Sequence, residues 1–172
     1  VNSTSNKIKL YPYGLIRRSG EPETTDFFVL HEGPLGVFDG SLTEKSYSDL
    51  KESGKSGLTF KPEKLGGWIG ITDKYWMAAL IPDQSQKSKF TYRYINSNKS
   101  YQTDFLGQLS VIAPNSEQVI TSRVFSGAKK LNLLDSYEND LKIEHFDLAI
   151  DFGWFYFLTK PFFYALSWAN NL

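Results

Sequence analysis

The chain has 172 residues, enough for one domain with a buried core. Lysine plus arginine and aspartate plus glutamate each total 19, so the formal net charge is zero and nothing favours binding to a phosphate backbone; no nucleic-acid partner is expected. With no cysteine, disulfides and thiol chemistry are excluded, and two isolated histidines, His31 and His145, make no zinc motif, so neither a metal nor another cofactor is implied.

Taken in chain order, residues 1–6 (VNSTSN) are polar and expected to fray. Lys7 to Arg18 carries a strand pattern interrupted by Pro12 and Gly14. Phe27 to Leu30 is a short β-prone run closed by Gly33 and Pro34, and Leu35 to Phe38 is another. Ser41 to Lys64 is rich in Ser, Lys, Glu and Gly and reads as a long exposed connection, with a strand at Leu58 to Phe60. Trp68 to Ile81 is the strongest core signal: two apolar runs flank Thr72-Asp73-Lys74, as in a buried hairpin, so Trp68 and Trp76 are expected in the core. Lys89 to Ile95 alternates, placing Phe90, Tyr92 and Tyr94 on one face. Tyr101 to Ile112 and Gln118 to Phe125 supply further strands. The period then changes. Leu131, Leu134, Tyr137 and Leu141 fall at helical spacing, predicting a helix over 128–141 capped by Ser126. Turn-punctuated strands followed by a helix predict a mainly β fold, an antiparallel sandwich with C-terminal α-helices.

Nine of the chain's aromatic residues fall between Phe152 and Trp168, and Lys160 is the one charge from Trp154 to Leu172. As a helix these 19 residues would reach roughly 28 Å, near the thickness of a bilayer core. Lys160 and Pro161 in the middle oppose a spanning helix. Tyr156, Lys160, Tyr164, Ser167 and Asn171 instead line up as one polar stripe, as on a helix lying in the membrane interface. Its membrane-interface residues would be Trp154, Phe155, Phe157, Leu158, Lys160, Phe162, Phe163, Tyr164, Leu166 and Trp168. The alternative is that these rings pack on the domain's own core.

Asp151-Phe152-Gly153-Trp154 with Pro161-Phe162-Phe163 resembles the junction that precedes the first core transmembrane helix of YidC-type bacterial membrane protein insertases. Gly66-Gly67-Trp68 followed by Asp73-Lys74-Tyr75 and Ile81-Pro82, and Val124-Phe125-Ser126-Gly127, are similar to further motifs of that family, in the same order; Ala128 stands where the family commonly has Pro. The resemblance implies a periplasmic β-supersandwich of galactose-mutarotase-like architecture on the outer face of the inner membrane. It implies no catalytic residues. The expected partners are the lipid surface, the insertase transmembrane core, hydrophobic substrate proteins and the Sec translocon with its accessory subunits. The expected organisation is a sandwich over 1–126, the C-terminal part of a larger periplasmic domain. A helix and linker over 127–150 and a membrane-proximal segment over 151–172 follow it.

A different class of function is a carbohydrate-binding or aldose-epimerase-like sandwich, for which Trp68, Tyr75 and Trp76 are the rings to inspect. His31-Glu32 and His145-Phe146-Asp147 are read as structural. Adjacent strand residues point to opposite faces in the first, and a hydrogen bond is the expected role of the second.

Overall fold

The structure, a computed structural model, describes residues 1–22 and 30–150, with Pro161 as one further position. In chain order the strands are β1 (Ile8–Leu10), β2 (Tyr13–Ser19), β3 (Gly33–Phe38), β4 (Ser41–Glu44), β5 (Leu58–Phe60), β6 (Trp68–Thr72), β7 (Trp76–Ile81), β8 (Lys89–Ile95), β9 (Ser100–Leu106), β10 (Ser110–Ile112) and β11 (Arg123–Ala128). Helix α1 (Tyr47–Glu52) lies between β4 and β5, and α2 (Leu131–Leu141) follows β11.

All pairing is antiparallel. One sheet has the order β11-β7-β6-β3-β4, the second β2-β9-β8-β5, and β1 pairs with β10 in a small third sheet. The mainly β sandwich expected from the sequence is the observed architecture. The two larger sheets meet through Ile69, Leu80, Phe38, Phe90, Tyr92, Tyr101 and Phe105. The other face of the five-stranded sheet carries Leu35, Val37, Trp68, Met77, Ala79, Ile81 and Phe125 and is covered by α2 and the turn after it. The helix is thus a third layer. Because β6 is covered on both sides, it shows no alternation: all five of its residues are buried.

The β6–β7 hairpin is present, with Ile71 opposite Ala78. Its entry depends on two consecutive glycines in the left-handed region, Gly66 (φ +82) and Gly67 (φ +87). A Cβ on Gly67 would lie 2.4 Å from the Val37 carbonyl oxygen, so β6 could not reach β3 with a larger residue there. The Gly66-Gly67-Trp68 motif therefore has a backbone reason.

Several expectations are corrected. Trp68 is fully buried, but Trp76 is 62% exposed. Its side chain lies on the same face of β7 as Leu80, at the first residue of the strand, where it borders an open groove beside β2. The 41–64 stretch has the expected strand at Leu58–Phe60, β5, but is not otherwise an exposed connection: it also contains β4 and α1, and Tyr47 and Leu50 are buried. Helix α1 is announced by a capping box, in which the Asp49 N–H donates to the Ser46 hydroxyl and the Ser46 N–H to the Asp49 carboxylate. Gly33 and Pro34 open β3 instead of closing a preceding run; residues 27–29 lie outside the described residues. The N-terminus is clamped. Asn2 is buried, and its amide donates to the carbonyls of Asn6, Ile112 and Ala113 at 2.8, 3.0 and 3.0 Å. The last strand begins only at Arg123, and Ser126 lies within it, so it does not cap α2; the N-cap is Lys130.

The burial contrast between the tryptophans predicts unequal costs. Trp68→Ala should lose ~3–5 kcal/mol of unfolding free energy, and Trp76→Ala in this chain less than about 1 kcal/mol. Denaturant unfolding followed by far-ultraviolet circular dichroism checks both; equal losses would contradict the burial assignment.

Candidate functional site

Two places in the fold bear on function: the root of the C-terminal segment and an open groove beside β2. The root begins at the end of α2. Lys142 and His145 both adopt left-handed backbone (φ +54 and +49), so the chain turns twice and brings Phe146–Ala149, a short 3-10 helix, back onto the sheet. Phe146 is fully buried. Its ring meets Trp68 edge-to-face at 5.3 Å between centroids and Phe125 at 5.6 Å. The Trp68 indole N–H donates to the Glu144 carbonyl at 3.1 Å. Leu134 and Ile143 close the same cluster. The Ile150 N–H donates to the Asp147 carbonyl at 3.0 Å. The chain therefore reaches residue 150 from a position fixed by three aromatic rings.

His145-Phe146-Asp147 is not extended, as supposed from the sequence: His145 is left-handed and Phe146–Ala149 forms a short 3-10 helix. The Asp147 N–H donates to Glu138 Oε2 at 3.1 Å, tying the turn back to α2. Glu138, His145 and Asp147 bring three potential ligand atoms within 4.8 Å of one another. Burial, and then the neighbouring Asp147 carboxyl, push the Glu138 carboxyl above its ordinary range, while the Asp147 N–H works against that shift. His31 sits elsewhere, its Nε2 3.1 Å from the Pro34 carbonyl, and Glu32 accepts the Lys74 N–H.

The groove, about 250 Å³, is lined by Ile16, Arg17 and Arg18 of β2 and by Asp73, Trp76 and Ser126 across from them. Arg18 Nη1 and Asp73 Oδ1 are ion-paired across it. Tyr75 is exposed nearby in sequence (63%), whereas Trp68 is not available to any ligand. Among the described residues, neither a His nor a Glu lines this groove.

The residues read as lying at the membrane interface, Trp154, Phe155, Phe157, Leu158, Lys160, Phe162, Phe163, Tyr164, Leu166 and Trp168, lie outside the described residues. So do Asp151, Phe152 and Gly153 of the junction; Pro161 is helical and exposed. No helix among the described residues is long and apolar enough to cross a membrane.

These features define a three-layer β-sandwich domain, followed in the sequence by an aromatic segment. The family model described as the YidC periplasmic domain matches residues 1–165, and the chain belongs to that family. Among curated proteins, the membrane protein insertase YidC of Methylorubrum extorquens is 45% identical over 179 residues, covering 99% of this chain and 29% of its own length. The protein of the same name from Rickettsia akari is 45% identical over 169 residues (97% and 30%), and that from Granulibacter bethesdensis 43% over 176 (99% and 30%). The chain thus spans about three-tenths of the length of the curated relatives it matches.

The Glu138 shift has a pH consequence. A carboxyl whose folded value lies above the unfolded 4.5 stabilises the fold while protonated. That contribution is complete below 4.5 and is lost as pH rises through the raised folded value. Glu138→Gln, which cannot titrate, should flatten the fall of the thermal midpoint over this interval. An unchanged slope would show that another group causes it.

Proposed function

We propose that this chain works as the non-catalytic, extracytoplasmic part of a membrane protein insertase, on the periplasmic face of the bacterial inner membrane. The carrying observation is the family match over residues 1–165. Relatives that bear the insertase name at 43–45% identity support it. In this reading the domain assists insertion and folding of inner-membrane proteins, alone or with the Sec translocon. Its partners are the lipid surface, the insertase transmembrane core, hydrophobic substrate proteins and Sec accessory subunits. The galactose-mutarotase-like supersandwich stays part of the reading, as does the division into a sandwich (1–126), a helix and linker (127–150) and a membrane-proximal segment (151–172).

The mechanism is positional. A rigid sandwich holds residue 150 through Phe146, and the aromatic segment beyond it meets the headgroup layer with Trp154, Phe155, Phe157, Leu158, Phe162, Phe163, Tyr164, Leu166 and Trp168. The stripe through Lys160 stays toward water. The domain is thereby fixed at one distance from the membrane core that handles the substrate. No bond is made or broken in this role, so no residue needs an activated proton or nucleophile.

Liposome flotation tests the membrane contact. The 172-residue chain should float with vesicles containing anionic lipid, and a chain ending at Gly153 should stay soluble and keep its β-type circular dichroism. Equal flotation of both chains would put the contact elsewhere. Loss of folding on truncation would assign the aromatic rings to the core.

A further inference from the structure

Helix α2 and the turn that follows it bring together three side chains of metal-binding type. Glu138 lies near the C-terminal end of α2, His145 is the left-handed residue that opens the 3-10 turn, and Asp147 lies within that turn. One donor atom from each lies within 4.8 Å of the other two. Around one ion of zinc size, with bonds of about 2.1 Å at tetrahedral positions, the donors would stand about 3.4 Å apart. The site therefore has to close by about 1.4 Å at most. Burial decides which side chains move. Asp147 is 4% exposed and fixed, whereas Glu138 is half-buried and His145 exposed, so both can turn toward it. The Asp147 N–H already holds Glu138 Oε2 at 3.1 Å, an outer contact of the kind that orients a ligating carboxylate.

Three features separate this group from an ordinary acidic patch. One donor is an imidazole nitrogen, one carboxyl is buried, and the second carboxyl is turned onto the first at hydrogen-bonding range. Facing carboxylates repel, and a divalent cation between them offsets that cost. We propose that Glu138, His145 and Asp147 form a binding site for one divalent transition-metal ion of the zinc type, with water completing its coordination. A donor set that includes imidazole suits zinc and its neighbours, whereas Ca²⁺ and Mg²⁺ take oxygen ligands throughout. The exposed His145 gives the ion a path from solvent. Once bound, the ion fastens α2 to the turn that carries Phe146. The three residues are scattered in the sequence and folded together by left-handed backbone at Lys142 and His145, so no motif announces them. The inference rests on these side chains and is independent of where the domain meets the membrane.

The test titrates the 172-residue chain, free of any affinity tag and stripped with a chelator, with Zn²⁺ in a calorimeter at fixed pH. One ion should bind per chain, and excess Mg²⁺ should not displace it. His145→Asn removes the imidazole and tolerates left-handed backbone. It should weaken binding about tenfold or more, the size of loss that even outer contacts of a metal site cause. Asp147→Asn should do the same and serves as a second variant, and His31→Ala should bind as the parent chain does. Zn²⁺ should also raise the thermal midpoint of the parent chain but not that of His145→Asn. A chain that takes up no zinc overturns the proposal. So does unchanged affinity in His145→Asn, or a loss confined to His31→Ala, which would put the ion elsewhere. Displacement by Mg²⁺ overturns it too, by reducing the group to an acidic patch that holds any divalent cation.

Discussion

Strands β6 and β7 are apolar over most of both faces, and both faces need a cover. One sheet cannot supply it. The four-stranded sheet buries Ile69 and Leu80 from one side, and α2 with the 146–149 turn buries Trp68, Met77 and Ala79 from the other. The three layers are therefore one requirement seen from two sides. Remove the helical layer, and a fully buried tryptophan and its neighbours face water, a loss on the scale of the total stability of a small domain.

That requirement links fold to function. The helical layer is the last described part of the chain before the aromatic segment, and it is held by the same contacts that complete the core. Phe146 meets Trp68 and Phe125, Glu138 accepts the Asp147 N–H, and the Glu144 carbonyl accepts from Trp68. In the proposed reading, a membrane-proximal segment rooted this way would transmit orientation to the domain, where a flexible linker would not.

Much of this is legible in the sequence. Alternation finds β8, the apolar runs around Thr72-Asp73-Lys74 find the β6–β7 hairpin, and leucine spacing finds α2 to within three residues. What escapes the reading follows from geometry that sequence period does not carry. Trp76 lies in a run as apolar as that of Trp68, but Trp68 faces the helical layer and Trp76 borders an open groove, a difference that the run does not carry. Asn2 resembles a frayed terminus until three carbonyls converge on its amide. The 41–64 stretch is polar because α1 is short and half exposed; its Ser46-to-Asp49 capping box is the signal that could have revealed it. For the candidate site, the root at Phe146 is hidden because its backbone turns through Lys142 and His145 in the left-handed region, with no glycine to mark either turn. The aromatic segment, by contrast, is apparent from composition alone.

The central claim is that the helical layer and the sheet form one cooperative unit. Native-state hydrogen exchange tests it most directly. Amides of α2 protected within the helix and those of β6 and β7 should open with the same free energy, and that value should equal the global unfolding free energy. If α2 exchanges through an opening of much lower free energy while β6 and β7 stay protected, the layer is a loosely held appendage and cannot fix the root of the aromatic segment.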